Sequence, residues 1–140
     1  MQQIAGMKKD VHAYEAQLTV LQGVNDLIAN LEAGDAVQQG DIVLSAGLGS
    51  TAVVSSLTGT FKRARFTVTV QGTGIAANPK ITLNFPSGLW ETKPFAQVVR
   101  NGGTGTLGHS WDESVNSLII TLSGTPLTGE TFIFTTDVRE

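Results

Sequence analysis

Two periodicities of apolar residues divide the chain near Gly34. Beyond that point apolar residues recur at every second position. Ala64, Phe66, Val68 and Val70 fall on one side of an extended strand and Arg63, Arg65, Thr67 and Thr69 on the other, so one face is core and the other wet. Ile81, Leu83 and Phe85 repeat the rule, as do Leu118, Ile120 and Leu122, then Phe132 and Phe134. These residues form the expected core. Strands are expected at Ile42 to Ser45, Thr51 to Ser55, Phe61 to Gln71, Lys80 to Phe85, Ala96 to Arg100, Leu107 to Trp111, Ser117 to Leu122 and Thr131 to Thr136.

Turn-forming stretches separate them, among them Gln71-Gly72-Thr73-Gly74, Pro86-Ser87-Gly88, Asn101-Gly102-Gly103-Thr104-Gly105 and Ser123-Gly124-Thr125-Pro126. No helix-period segment intervenes, so parallel winding is not expected and the strands should pair antiparallel. A β-sandwich or jelly roll over residues 35–140 follows.

Before Gly34 the period is that of a helix. Steps of three and four from Ile4 land on Met7, Val11, Tyr14, Leu18, Leu21, Asn25 and Ile28, all apolar or aromatic except Asn25. An a/d stripe of about four heptads points to a coiled coil. A helix of about 30 residues would extend about 45 Å, beyond the roughly 26 Å that twice the radius of gyration of a domain near 100 residues implies. Its projecting seam would need sister helices to cover it. Asn25 would then be a polar layer that fixes register at some cost in stability. Gly23 opens the other reading, two short helices folded back on the sheet, because glycine costs about 1 kcal/mol inside a helix. Val24, Leu27 and Leu31 lie off the seam and fit either arrangement. Gly34, after Leu31-Glu32-Ala33, is the expected helix stop. The fold class is thus mainly β with an N-terminal helix: a coiled-coil stem over residues 1–34, then the β domain.

Composition narrows the function. The chain has 140 residues, is 41% hydrophobic and contains no cysteine, so it can bury a core but has no disulfide or thiolate chemistry. A net charge of -3 and a pI near 5.3 argue against nucleic acid as partner. No apolar run approaches the roughly 18 residues of a membrane span, and no secretory leader is expected from Met1-Gln2-Gln3-Ile4-Ala5-Gly6.

Candidate chemistry is sparse. Gly47-Leu48-Gly49 and Asn101-Gly102-Gly103-Thr104-Gly105 lack the strand, glycine fingerprint and helix that a phosphate loop needs. His12 lies beside the helical seam. His109, with Ser110 and Asp112, could be drawn as a hydrolase triad, but in a strand Ser110 and Asp112 would share the face opposite His109. Asp112, Glu113 and Asp137 show no calcium-loop spacing. No catalytic, cofactor or metal site is expected. Arg63 and Arg65 emerge on one strand face and could pair with carboxylates of a neighbouring protein; an ordinary solvated face is the plainer alternative. Trp90 and Phe95 flank Glu91-Thr92-Lys93-Pro94, where aromatics could anchor a partner, stack on a saccharide, or close the end of the sandwich.

A short heptad stem, a Gly34-Asp35 joint and strands reading Phe66-Thr67-Val68-Thr69-Val70, Lys80-Ile81-Thr82-Leu83-Asn84-Phe85 and Ser117-Leu118-Ile119-Ile120-Thr121-Leu122 together resemble virion proteins of tailed bacteriophages. The groups in question are capsid decoration (cement) proteins, head fibres, and the knobs of tail needles and fibres. The resemblance implies a homotrimer, which the heptads alone do not. It also implies a non-enzymatic role in the virion, assembled in the host cytoplasm. The short stem favours a decoration protein or short head fibre bound to the major capsid protein or another virion protein. A receptor- or glycan-binding knob of a tail needle or fibre is the alternative, and a small hydrolase centred on His109 a third.

Overall fold

A computed structural model describes residues Ala36–Glu140. The stem expected over residues 1–34, with its seam from Ile4 to Ile28, lies outside the described residues.

Every stretch marked by alternation forms a strand. They are β1 (Ile42–Leu44), β2 (Val53–Gly59), β3 (Arg63–Thr69), β4 (Lys80–Asn84), β5 (Phe95–Gly102), β6 (Gly108–Glu113), β7 (Ser117–Ser123) and β8 (Thr131–Arg139). They build two four-stranded sheets, one ordered β1-β4-β7-β6 and the other β2-β3-β8-β5, with every neighbouring pair antiparallel. A jelly roll sets the first and last strands side by side. Here β1 neighbours β4 while β8 lies between β3 and β5, so the layering is sandwich-like and the jelly-roll expectation is not met.

The alternation decides which faces meet. Ile81 and Leu83 of β4 and Leu118, Ile120 and Leu122 of β7 are fully buried, as are Phe66 and Val68 of β3 and Phe132 and Phe134 of β8. They belong to one apolar cluster, which also holds the other expected core residues Ala64, Val70 and Phe85. Phe66 and Phe134 stand opposite each other in the β3/β8 register, with ring centroids 6.0 Å apart. Removing either ring should cost about 3–5 kcal/mol, the usual figure for a buried phenylalanine cut to alanine.

Two departures from simple alternation shape the ends. The β2/β3 register shifts between Ser55 and Thr58, where Ser56 takes a positive φ of 51°. This bulge carries β2 past the expected end at Ser55. Phe61 stands outside β3, in the turn between β2 and β3; its ring packs edge-on against Phe85 at 6.2 Å. At the opposite end the backbone at Gly105 runs against the ring of Phe132, which would collide with any Cβ there. The sequence requires glycine at that point because an aromatic side chain from β8 fills the space a side chain would need.

Candidate partner-docking surface

The outer face of the β2-β3-β8-β5 sheet collects the arginines and Phe95. In register, Arg63 stands opposite Asp137, which stands opposite Gln97; Arg65, Thr135 and Val99 form the next row; Arg139 faces Phe95. Arg63 and Arg65 are exposed, and Phe95 is 78% exposed on edge strand β5. Val99, four residues along on the same strand face, is also exposed. Arginine with accessible aromatic surface is the composition enriched where proteins bind proteins.

Electrostatics make this face locally basic. Lys62, Arg63, Arg65 and Arg139 gather towards one end of β3 and β8, and Asp137 stands among them. Arg139 donates through Nε and Nη2 to the two carboxylate oxygens of Asp137, both at 3.1 Å. That hydrogen bonding, with the charges of Arg139 and Arg63 and against a little desolvation, holds the Asp137 carboxyl below its usual range. Shallow depressions border the arginines: one of about 350 Å³ beside Arg63, Arg65 and Thr135, another of about 240 Å³ between Phe95, Gln97, Asp137 and Arg139.

Of the residues expected to touch a partner, Arg63, Arg65 and Phe95 therefore share one sheet face, and Trp90 leaves the set. Trp90 is only 7% exposed, and its ring packs edge-on against Phe85 at 5.8 Å. With Phe61 on the other side of Phe85, the three rings plug one end of the domain. Burial of a large apolar ring outweighs its use as a stacking face when another ring is there to receive it. The loop that carries Trp90 is tied down by Glu140, whose Oε1 accepts from the backbone N–H of Thr92 at 2.9 Å and of Glu91 at 3.0 Å.

The triad drawn from sequence neighbours is not assembled. Ser110 and Asp112 lie on the face of β6 opposite His109, and the imidazole Nε2 is 3.0 Å from the Val98 carbonyl oxygen. A carbonyl only accepts, so Nε2 carries the proton. Trp111 donates its indole N–H to the Ala96 carbonyl at 3.1 Å. These two side chains reach from an edge strand of one sheet to the edge strand of the other, satisfying β5 carbonyls that no further strand among the described residues pairs. Arg100 works nearby: its Nη1 donates to the Gly105 and Leu107 carbonyls at 2.7 and 2.9 Å and pins the β5–β6 loop. Sequence reasoning missed all three roles. The only hint was that β6 places His109 and Trp111, amphipathic rings, where β4 and β7 place aliphatics.

On the opposite side of the domain, between the edge strands β1 and β2, the described residues present a mostly apolar lining. A groove of about 460 Å³ runs there, lined by Ile42, Val43, Leu44, Ala52, Val53 and Val54, with the Gln39 amide bonded to the Val54 carbonyl at one point. Among the described residues no group of three or more His, Asp and Glu side chains is placed to hold a metal ion. Comparison with protein-family models, curated proteins and solved structures finds no match to this chain.

Proposed function

We propose that the chain is a non-enzymatic structural protein of a phage virion, a trimeric capsid decoration (cement) or head-fibre protein that binds the shell and stabilises it. In this reading the seam Ile4, Met7, Val11, Tyr14, Leu18, Leu21, Asn25 and Ile28 draws the copies together as a coiled-coil stem, and the β domain makes the external contact. The observation that carries the binding role is the outer face of the β2-β3-β8-β5 sheet, where the largely exposed Phe95 stands opposite Arg139 on the face that also carries Arg63 and Arg65. A ring that folding leaves in water gains by being covered, and arginines around it select a partner surface carrying carboxylates. The virion setting rests on the resemblance of stem, joint and strands described above. Bound across capsomer boundaries, such a protein adds buried contact that resists outward pressure on the shell.

The test is direct. Purified protein is mixed with mature capsids, pelleted with them, and located by electron microscopy. Many copies spread over the shell are expected, along with an oligomeric mass in solution. A strict monomer that leaves capsids bare overturns the reading, and binding confined to the tail replaces it with the fibre-knob alternative.

A further inference from the structure

Four asparagines lie among the described residues, and the main-chain nitrogen that follows each is placed differently. Asn78 precedes Pro79, which has no N–H. Asn84 precedes Phe85, whose N–H donates to the Asn116 carbonyl at 2.8 Å. Asn116 precedes Ser117, whose N–H donates to Ser114 Oγ at 3.1 Å. Asn101 precedes Gly102, where no side chain shields the nitrogen. The β5/β8 ladder passes from Arg100, opposite Phe134, to Gly102, opposite Ile133, so Asn101 is the extra residue of a bulge and has no partner on β8. It is exposed among the described residues and lines the same depression of about 350 Å³ as Arg63, Arg65 and Thr135.

We infer that Asn101 is a site of spontaneous covalent modification, at which the Gly102 nitrogen closes on the side-chain carbonyl and the amide becomes a carboxylate. The Gly102 nitrogen gives up its proton and bonds to Asn101 Cγ. The bond from Cγ to Nδ2 then breaks, ammonia leaves, and a five-membered succinimide remains. Water opens that ring at either carbonyl, giving aspartate or isoaspartate. Ring closure needs the backbone at Asn101 to turn out of the extended form, and a residue outside the ladder gives up no β5/β8 pairing to do so. Isoaspartate lengthens the main chain by one carbon at a point where β5 already carries an extra residue, so the rest of the ladder keeps its register. The product places a negative charge in the depression that Arg63 and Arg65 border, and guanidinium groups pair readily with a carboxylate. The outer face of the β2-β3-β8-β5 sheet thus loses basic character as the protein ages.

The full chain is held folded at mildly alkaline pH, then cleaved after arginine, which leaves Asn101 and Asn116 on one peptide ending at Arg139. Mass spectrometry is expected to show a gain of about one mass unit at Asn101, with isoaspartate among the products, appearing many times faster than any change at Asn116. Asn101→Gln, whose longer side chain closes such a ring poorly, should show none of it. If the chain unfolded in denaturant changes at Asn101 while the folded chain does not, the strand holds the residue and the inference is overturned. Aspartate without isoaspartate overturns it too, because opening of the ring gives both. A consequence for capsid binding rests on the docking reading proposed above: Asn101→Asp should lower co-sedimentation several-fold at low salt. Equal binding by that variant removes the consequence and leaves the modification standing, whereas capsids left bare by the unaltered chain remove the docking reading alone.

Discussion

His109 and Val98 are joined across the gap between the two sheets, imidazole Nε2 to carbonyl oxygen at 3.0 Å. The ring is packed as well as bonded: it stacks on Trp111 at 6.0 Å and stands edge-on to Phe134 at 5.4 Å. A polar residue in a strand position thus closes an edge that aliphatic packing alone would leave with unpaired carbonyls.

That role sets the first prediction. His109→Ala should destabilise the domain by about 1–3 kcal/mol through lost packing and an unpaired carbonyl, and Trp111→Phe, which removes the donor and trims the ring, by about 1 kcal/mol. Denaturant unfolding of each variant measures both. Unchanged stability in the His109 variant would remove the edge-closing role.

Gly105→Ala should cost about 1–3 kcal/mol, the usual penalty of overpacking, because the new methyl group must displace the buried Phe132 ring or the loop that Arg100 pins. Gly74→Ala makes a useful contrast, since open space surrounds a Cβ there but the positive φ of 80° strains it. Thermal unfolding separates the cost of collision from that of backbone strain alone.

Among the described residues Thr136 is the one fully buried member of the polar residue types, and its hydroxyl has no hydrogen-bond partner there. Thr136→Val keeps the shape and removes the unpaired group, so stability should rise by about 1 kcal/mol. A loss of stability in denaturant unfolding would mean that a water molecule serves the hydroxyl.

Acidification should weaken the domain through two carboxylates. Hydrogen bonding from the Thr92 backbone N–H, helped by the Thr92 hydroxyl and the Glu91 N–H, lowers the Glu140 carboxyl; hydrogen bonding from Arg139 lowers Asp137. A group whose folded pKa lies below its unfolded value stabilises fully above the unfolded value, about 3.9 for Asp and 4.3 for Glu, and the contribution fades as pH falls through the folded one. Unfolding measured from neutral pH down through that range should show a smaller acid-side loss in the Asp137→Asn, Glu140→Gln double variant.

On the docking face, Phe95→Ser and Arg65→Glu should each leave folding stability within about 0.5 kcal/mol, as expected of exposed positions away from buried contacts. Capsid co-sedimentation should fall in both, most in the double variant. Binding equal to the unaltered protein would place the contact on another surface.

Much of this protein was determined by its sequence alone. Alternation along β3, β4, β7 and β8 named the buried residues because side chains of a strand take opposite faces in turn, and a core must collect one of them. Glycine-rich stretches marked the loops for a similarly local reason. Tertiary structure decided the rest. That Phe95 shares a face with Arg63 and Arg65 depends on β8 lying between β3 and β5, a pairing of strands distant in sequence. Trp90 became core because Phe85, itself packed against Phe61, receives its ring, and His109 became an edge clasp because β5 passes beside β6. Local sequence sets which side of a strand is wet, but which other strand lies beyond the edge is a long-range choice that no local pattern encodes.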